Sequence, residues 1–253
     1  MTERQGKILE FISKQQLVKV SIISDLMKVS QVTIRKDLDA LENRGFIKRL
    51  HGFASLNKID ETAGRIALNY DIKKRIAQAA AETVEENETV MIASGSCCAL
   101  LAEELADAKK DITIITNSVY IANFIRFANR TKIIVLGGCY QPESQVLVGP
   151  MTRRCGELFF FDKFFIGADG FLPDFGFTGK DHLGTQTIMD LTDFAQEVII
   201  LTDSEKFQRH GSLGMVQTNK VSKVYTDDRI HEDIEDLFLM NNISLFKVSG
   251  KTD

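Results

Sequence analysis

From Tyr70 onward, strand-length runs that are apolar nearly throughout alternate with segments patterned as helices. Val90-Met91-Ile92-Ala93, Ile112-Thr113-Ile114-Ile115 and Lys132-Ile133-Ile134-Val135-Leu136 show almost no in–out alternation. A strand apolar on both faces must be covered on both faces, and strands joined through helices run parallel. The pattern predicts helix 71–86, strand 89–93, helix 96–107, strand 112–116, helix 118–128 and strand 132–136. Later come strand 163–168, helix 185–195, strands 197–202 and 223–226, helix 230–240 and strand 244–248. The expectation for residues 70–253 is therefore a Rossmann-like α/β domain with a mostly parallel sheet. No apolar run is long enough to span a bilayer. Met1-Thr2-Glu3-Arg4-Gln5 lacks the apolar core of a secretory signal. A cytoplasmic chain without a membrane partner is expected.

The start of the chain differs in charge and pattern. Residues 1–58 carry 11 Lys and Arg against 6 Asp and Glu, a balance of +5, on a chain whose net charge is −4. A basic piece on an acidic body points to an anionic partner for that piece alone. Ile8, Leu9, Phe11 and Ile12 form the stripe of a first helix. Ser21 is placed to cap a second, bearing Ile22, Ile23, Leu26 and Met27. Ser30 is placed to cap a third, with Val32, Ile34, Leu38 and Leu41 as its core face and Gly45 at its end. Gln31, Thr33, Arg35, Lys36 and Asp37 fall on the outer surface of that third helix, and residues 46–53 read as a two-stranded ribbon turning near Gly52. A small winged helix-turn-helix follows, over residues 1–56, with a polar, irregular linker at 57–69. In such a unit Ser30, Gln31, Thr33, Arg35 and Lys36 would face base edges in the major groove, while Arg44, Lys48, Arg49 and His51 would contact phosphates.

The stretch Val29-Ser30-Gln31-Val32-Thr33-Ile34-Arg35-Lys36-Asp37-Leu38, continued by Gly45 and Arg49-Leu50-His51-Gly52, resembles the signature of the DeoR family. These are bacterial regulators of sugar operons. The family usually has a second glycine after His-Gly, where this chain has Phe53. The resemblance continues through Ser94-Gly95-Ser96, Thr116-Asn117-Ser118, Leu136-Gly137-Gly138, Gly167-Ala168-Asp169-Gly170 and Asp203-Ser204-Glu205-Lys206-Phe207. It implies operator DNA as a partner and an effector domain similar in fold to ribose-5-phosphate isomerase. It also implies phosphorylated sugars as ligands.

Physical chemistry reaches the same pocket independently. Each of these segments ends an apolar strand, and Ser94-Gly95-Ser96 and Thr116-Asn117-Ser118 open helices whose N-termini favour anions. Candidate effector contacts are Ser94, Gly95, Ser96, Cys97, Asn117, Ser118, Gly137, Gly138, Asp169 and Lys206. A thiol at such a helix start would have its pKa lowered, which is the expectation for Cys97. The four cysteines, Cys97, Cys98, Cys139 and Cys155, form no C-x-x-C pair. No metal and no cofactor are expected. Isomerisation needs a positioned base, whereas Gly170 stands where the isomerases have an acidic residue. The expectation is thus a non-catalytic sensor and regulator, a repressor acting as a homodimer or homotetramer. A sugar-phosphate isomerase or deaminase with an added DNA domain, and a DNA-binding scaffold whose large domain only oligomerises, are the other readings.

Overall fold

The computed structural model describes residues 1–15, 17–57, 61–108 and 111–250. Its packing divides the chain into two compact units, Met1–Asp71 and Ile72–Asp253.

The first unit runs α1 (Glu3–Ser13), β1 (Val18–Lys19), α2 (Val20–Met27), α3 (Gln31–Asn43), β2 (Ile47–Leu50), β3 (Phe53–Leu56) and α4 (Glu61–Ala67). Ile8, Leu9 and Ile12 of α1, Ile23 of α2, and Ile34, Leu38 and Leu41 of α3 are fully buried. Asp37 fastens α3 to α1. Arg4 Nε donates to its carboxylate at 2.6 Å and Gln5 Nε2 at 3.2 Å. The sequence pattern puts Asp37 on the outer surface; the structure buries it, because these donors compensate the loss of water.

Three apolar residues depart the other way. Val32 is 62% exposed, Leu26 51% and Ile22 48%, although periodicity assigns them to core faces. The inward stripes of these short helices are narrower than their apolar patterns. Helix α2 also starts at Val20 with Lys19 as N-cap, rather than at a cap on Ser21, because β1 pairs with β3 just before it. Ser30 does cap α3, its Oγ accepting from Thr33 N at 3.2 Å. The β2–β3 turn is His51–Gly52, and both residues have positive φ, 32° and 85°, as a two-residue type I′ hairpin requires. The antiparallel sheet β1-β3-β2 completes a winged helix-turn-helix.

The expected irregular linker is partly helical. Ala63, Ile66 and Ala67 of α4 are fully buried, and that helical spacing was hidden among polar neighbours. Residues 58–60 of the expected linker lie outside the described residues.

The second unit opens within α5 (Tyr70–Ala81), whose first two residues belong to the first unit. Then come β4 (Thr89–Ile92), α6 (Ser96–Asp107), β5 (Ile112–Thr116), α7 (Val119–Phe124) and β6 (Thr131–Val135). A hairpin of β7 (Cys139–Gln141) and β8 (Val146–Val148) leads into α8 (Pro150–Gly156) and β9 (Phe161–Gly167). After β10 (Gly170–Leu172), β11 (Gly176–Gly179) and α9 (His182–Thr192) come β12 (Ala195–Leu201), β13 (Leu213–Val216), β14 (Lys223–Asp227), α10 (Glu232–Met240) and β15 (Ser244–Val248). Seven strands form one parallel sheet ordered β15-β14-β12-β9-β4-β5-β6. The expected α/β class is what the structure shows. The short antiparallel sheet β10-β11-β13 was not anticipated, since strands of three or four residues in glycine-rich sequence carry little periodicity.

Phe171, Phe177, Phe207 and Phe238 pack as one aromatic cluster, with neighbouring ring centroids 4.9–6.2 Å apart. The cluster ties β10, β11 and α10 to the 204–208 turn. Phe238→Ala is expected to cost about 3–5 kcal/mol of stability, as deletion of a fully buried aromatic does. Denaturant unfolding checks this, and a loss below about 1 kcal/mol would show that the cluster is not a packed core.

Candidate functional site

In the first unit, α3 presents Gln31, Arg35 and Lys36 to the exterior, and Lys48 and His51 project from the β2–β3 wing. A cleft of about 420 Å³ brings Gln31 and Arg35 together with Arg49, Gly52 and Phe53. Lys19 and Ser21 line it too, and the sequence reading missed both. Lys19 Nζ lies 5.7 Å from the centroid of the Phe53 ring. Arg49 is ion-paired with Asp39, and its backbone N–H donates to Glu42 Oε1 at 2.8 Å. Arg44 stacks over Phe46 at 5.1 Å. Two of the four expected phosphate contacts are therefore held by internal partners, while Lys48 and His51 are exposed.

In the second unit the chain leaves β4 toward β5 and β6 on one side, and later returns to β9 and β12 on the other. The strand order reverses between β4 and β9, and parallel sheets bind ligands in the crevice beyond such a reversal. Ser94-Gly95-Ser96 sits there. Gly95 has φ 146° and precedes α6 as its N-cap, a conformation that side chains disfavour. A Cβ on Gly95 would lie 3.5 Å from Gly167 Cα, so the ends of β4 and β9 meet backbone to backbone.

Beside this turn lies a polar cluster. Lys73 of α5 is 4% exposed, and its Nζ is 3.9 Å from Oδ2 of Asp203, which is 2% exposed and follows β12. Asp203 Oδ1 is buried without a hydrogen-bond partner among the described residues. Burial lowers the pKa of the half-buried Lys206, Arg209 adds to the effect, and Asp203 and Asp169 oppose it. Asp227 accepts from Ser204 N and Oγ at 2.8 and 2.9 Å and from Arg229 Nε at 2.7 Å. Burial works to raise its pKa, but these donors outweigh it and hold the carboxylate below its usual range. Lys73 was missed by the sequence reading. It falls in register with buried Ile76, Ala77 and Ala80, and a lysine on a core-facing stripe was the available signal.

Asn117 and Ser118 carry internal hydrogen bonds, while Asn117 Oδ1 is buried without a hydrogen-bond partner among the described residues. Asn117 Nδ2 donates to Leu147 O at 3.0 Å, Ser118 Oγ caps α7 by accepting from Ile121 N at 3.2 Å, and both residues are buried. A Cβ on Gly138 would be 2.9 Å from Val148 O, so this glycine admits the β8 backbone. It also follows β6, four strands from β12, roughly 19 Å at normal strand spacing. Cys97 is a correction as well. Burial pushes its thiol up to about 12, and the opposing effect of Lys73 does not restore the lowered value expected at a helix start. Cys98 is fully buried and its pKa is raised likewise, first by burial.

A Cβ on Gly170 would lie 2.2 Å from Arg209 O and 2.4 Å from His210 Cα, so an acidic side chain cannot replace it without moving backbone. Asp181 is occupied as N-cap of α9, accepting from Gly184 N. Among the described residues no cluster of His, Cys, Asp and Glu could hold a metal ion, and no helix is long and apolar enough to cross a membrane.

Two family models match the chain. One, described as the DeoR-like helix-turn-helix domain, covers residues 4–60; the other, the DeoR C terminal sensor domain, covers 68–228. The HTH-type transcriptional regulator GolR of Listeria innocua is 30% identical, over 91% of this chain and 92% of its own length. A putative aga operon transcriptional repressor of Escherichia coli O157:H7 is 28% identical, over 92% and 88% respectively. The crystal structure of ribose 5 phosphate isomerase A from Neisseria gonorrhoeae aligns with 53% of this chain and 52% of its own, at 18% identity and TM-score 0.39. That likeness is too slight to carry an argument about chemistry.

The thiol environments make a direct prediction. Maleimide at neutral pH should modify exposed Cys139 in the native protein and leave Cys97 and Cys98 untouched until the chain is unfolded. Peptide mass mapping reads this out, and native labelling of Cys97 would refute its buried, neutral state.

Proposed function

Since the chain belongs to the DeoR family of transcriptional regulators, we propose that it represses a carbohydrate operon under the control of a phosphorylated sugar. The first unit, Met1–Asp71, reads the operator, and the second, Ile72–Asp253, senses. Ser30, Gln31, Thr33, Arg35 and Lys36 approach base edges, and Lys48 and His51 approach phosphates directly. Arg44 and Arg49 join them by exchanging their present partners for phosphate oxygens. The working form is a homodimer or homotetramer in the cytoplasm, since two linked reading units match paired half-sites.

The observation that carries the effector reading is the buried Lys73–Asp203 pair beside the Gly95 turn. The N–H groups opening α6 and the ammonium of Lys206 suit a phosphate. The partnerless oxygen of Asp203 suits a sugar hydroxyl, because a buried acceptor gains most from a new donor. Asp169 already accepts from Lys180 N at 3.2 Å and is held in place to accept from a second hydroxyl. Ser94, Ser96 and Cys97 line the turn, and Lys73 is added to the expected set. The same cluster binds without turnover, as it lacks a poised base.

Thermal unfolding against a panel of phosphorylated sugars tests this. At a hundred times its Kd a true effector adds about 2.7 kcal/mol, a rise of roughly 5–10 °C in a chain of this size. The unphosphorylated sugar should give no rise, and Lys206→Ala should abolish it. Silence across the panel, or an equal response to the unphosphorylated sugar, would reject a phosphate sensor.

A further inference from the structure

We propose that Val32 reads the C5-methyl group of a thymine in the operator. Val32 is the second residue of α3 and is 62% exposed. Ile34, Asp37, Leu38 and Leu41 turn inward, leaving Gln31, Val32, Arg35 and Lys36 as the exposed positions of the first two turns. At about 100° per residue, Val32 falls between Arg35 and Lys36, near the middle of that exposed arc. It is the one apolar side chain among them, and it stands at the end of the helix that enters the groove first.

A single exposed valine on an ordinary surface needs no explanation. This one is enclosed by two cations on the face that a recognition helix turns toward DNA. Docking in the major groove removes its isopropyl group from water. Neither a phosphate nor a hydrogen-bonding base edge gains from that contact, and either would lose hydration without a replacement bond. Of the groups that base pairs display in the major groove, the thymine methyl offers the largest apolar surface. Val32 therefore supplies base preference at a position where Arg35 and Gln31, with their polar ends, do not.

The inference rests on α3 entering the groove, and the test separates the two ideas. An operator is selected in vitro from random duplexes with the full-length chain. Each thymine is then replaced singly by deoxyuridine, which lacks only the methyl, and Kd is measured by fluorescence anisotropy for wild type and Val32→Ala. At one thymine of a half-site the wild type should bind about fourfold more weakly after replacement, the worth of one buried methyl. Val32→Ala should bind the two duplexes equally there while melting at the wild-type temperature. Insensitivity of the wild type at every thymine would overturn the inference, as would unchanged sensitivity in Val32→Ala. Failure to select any sequence would overturn groove docking itself and this inference with it.

Discussion

A lysine ammonium buried beside a carboxylate fixes the character of the larger unit. Lys73 and Asp203 come from α5 and from the end of β12, elements far apart in sequence that the sheet brings to one rim. Taking both ions out of water costs several kcal/mol each. The surroundings have to remain polar. Asp227, Ser204 and Arg229 form a hydrogen-bonded layer next to the pair, and the neutral thiol of Cys97 adds no further charge. Apolar replacement of such a pair is often neutral or stabilising, which supports the proposed binding role of this one.

Catalysis and binding ask different things of such a surface. A proton shuttle requires a base with freedom to exchange its proton and room to reach the substrate. Gly170 has neither a side chain nor space for one, because the Arg209–His210 backbone lies against it. Asp181 is committed to a helix cap. In the proposed reading the remaining donors and acceptors, fixed by the sheet, serve recognition.

Much of this was legible in the sequence. Unbroken apolar strands dictated the covered parallel sheet, and Ser30, Gly45 and Gly52 marked where α3 and the wing begin and end. The apolar pattern failed where a residue's neighbours, rather than its own chemistry, decide its exposure. Asp37 is buried because Arg4 reaches it, and Val32 is exposed because α3 turns a narrow stripe inward. The strand-end motifs were visible as motifs, but their roles were not. Asn117 and Ser118 have the same residue types as a ligand-binding turn, yet their hydrogen bonds go to Leu147 and α7. Only the strand order separates the rim near β12 and β4 from Gly138. Lys73 was legible in principle, as a cation on a core-facing stripe.

The central proposal is that the sugar-phosphate rim and the DNA-reading helix share one equilibrium. Binding couplings are reciprocal, so an effector of operator affinity must act by the same factor in both directions. The most direct measurement is operator affinity titrated with the sugar phosphate that stabilises the protein, for wild type and Lys206→Ala. The account predicts a change of about 5–150-fold for wild type and none for the variant, with ligand-free affinities equal. A wild-type operator affinity that stays constant at saturating effector would contradict it.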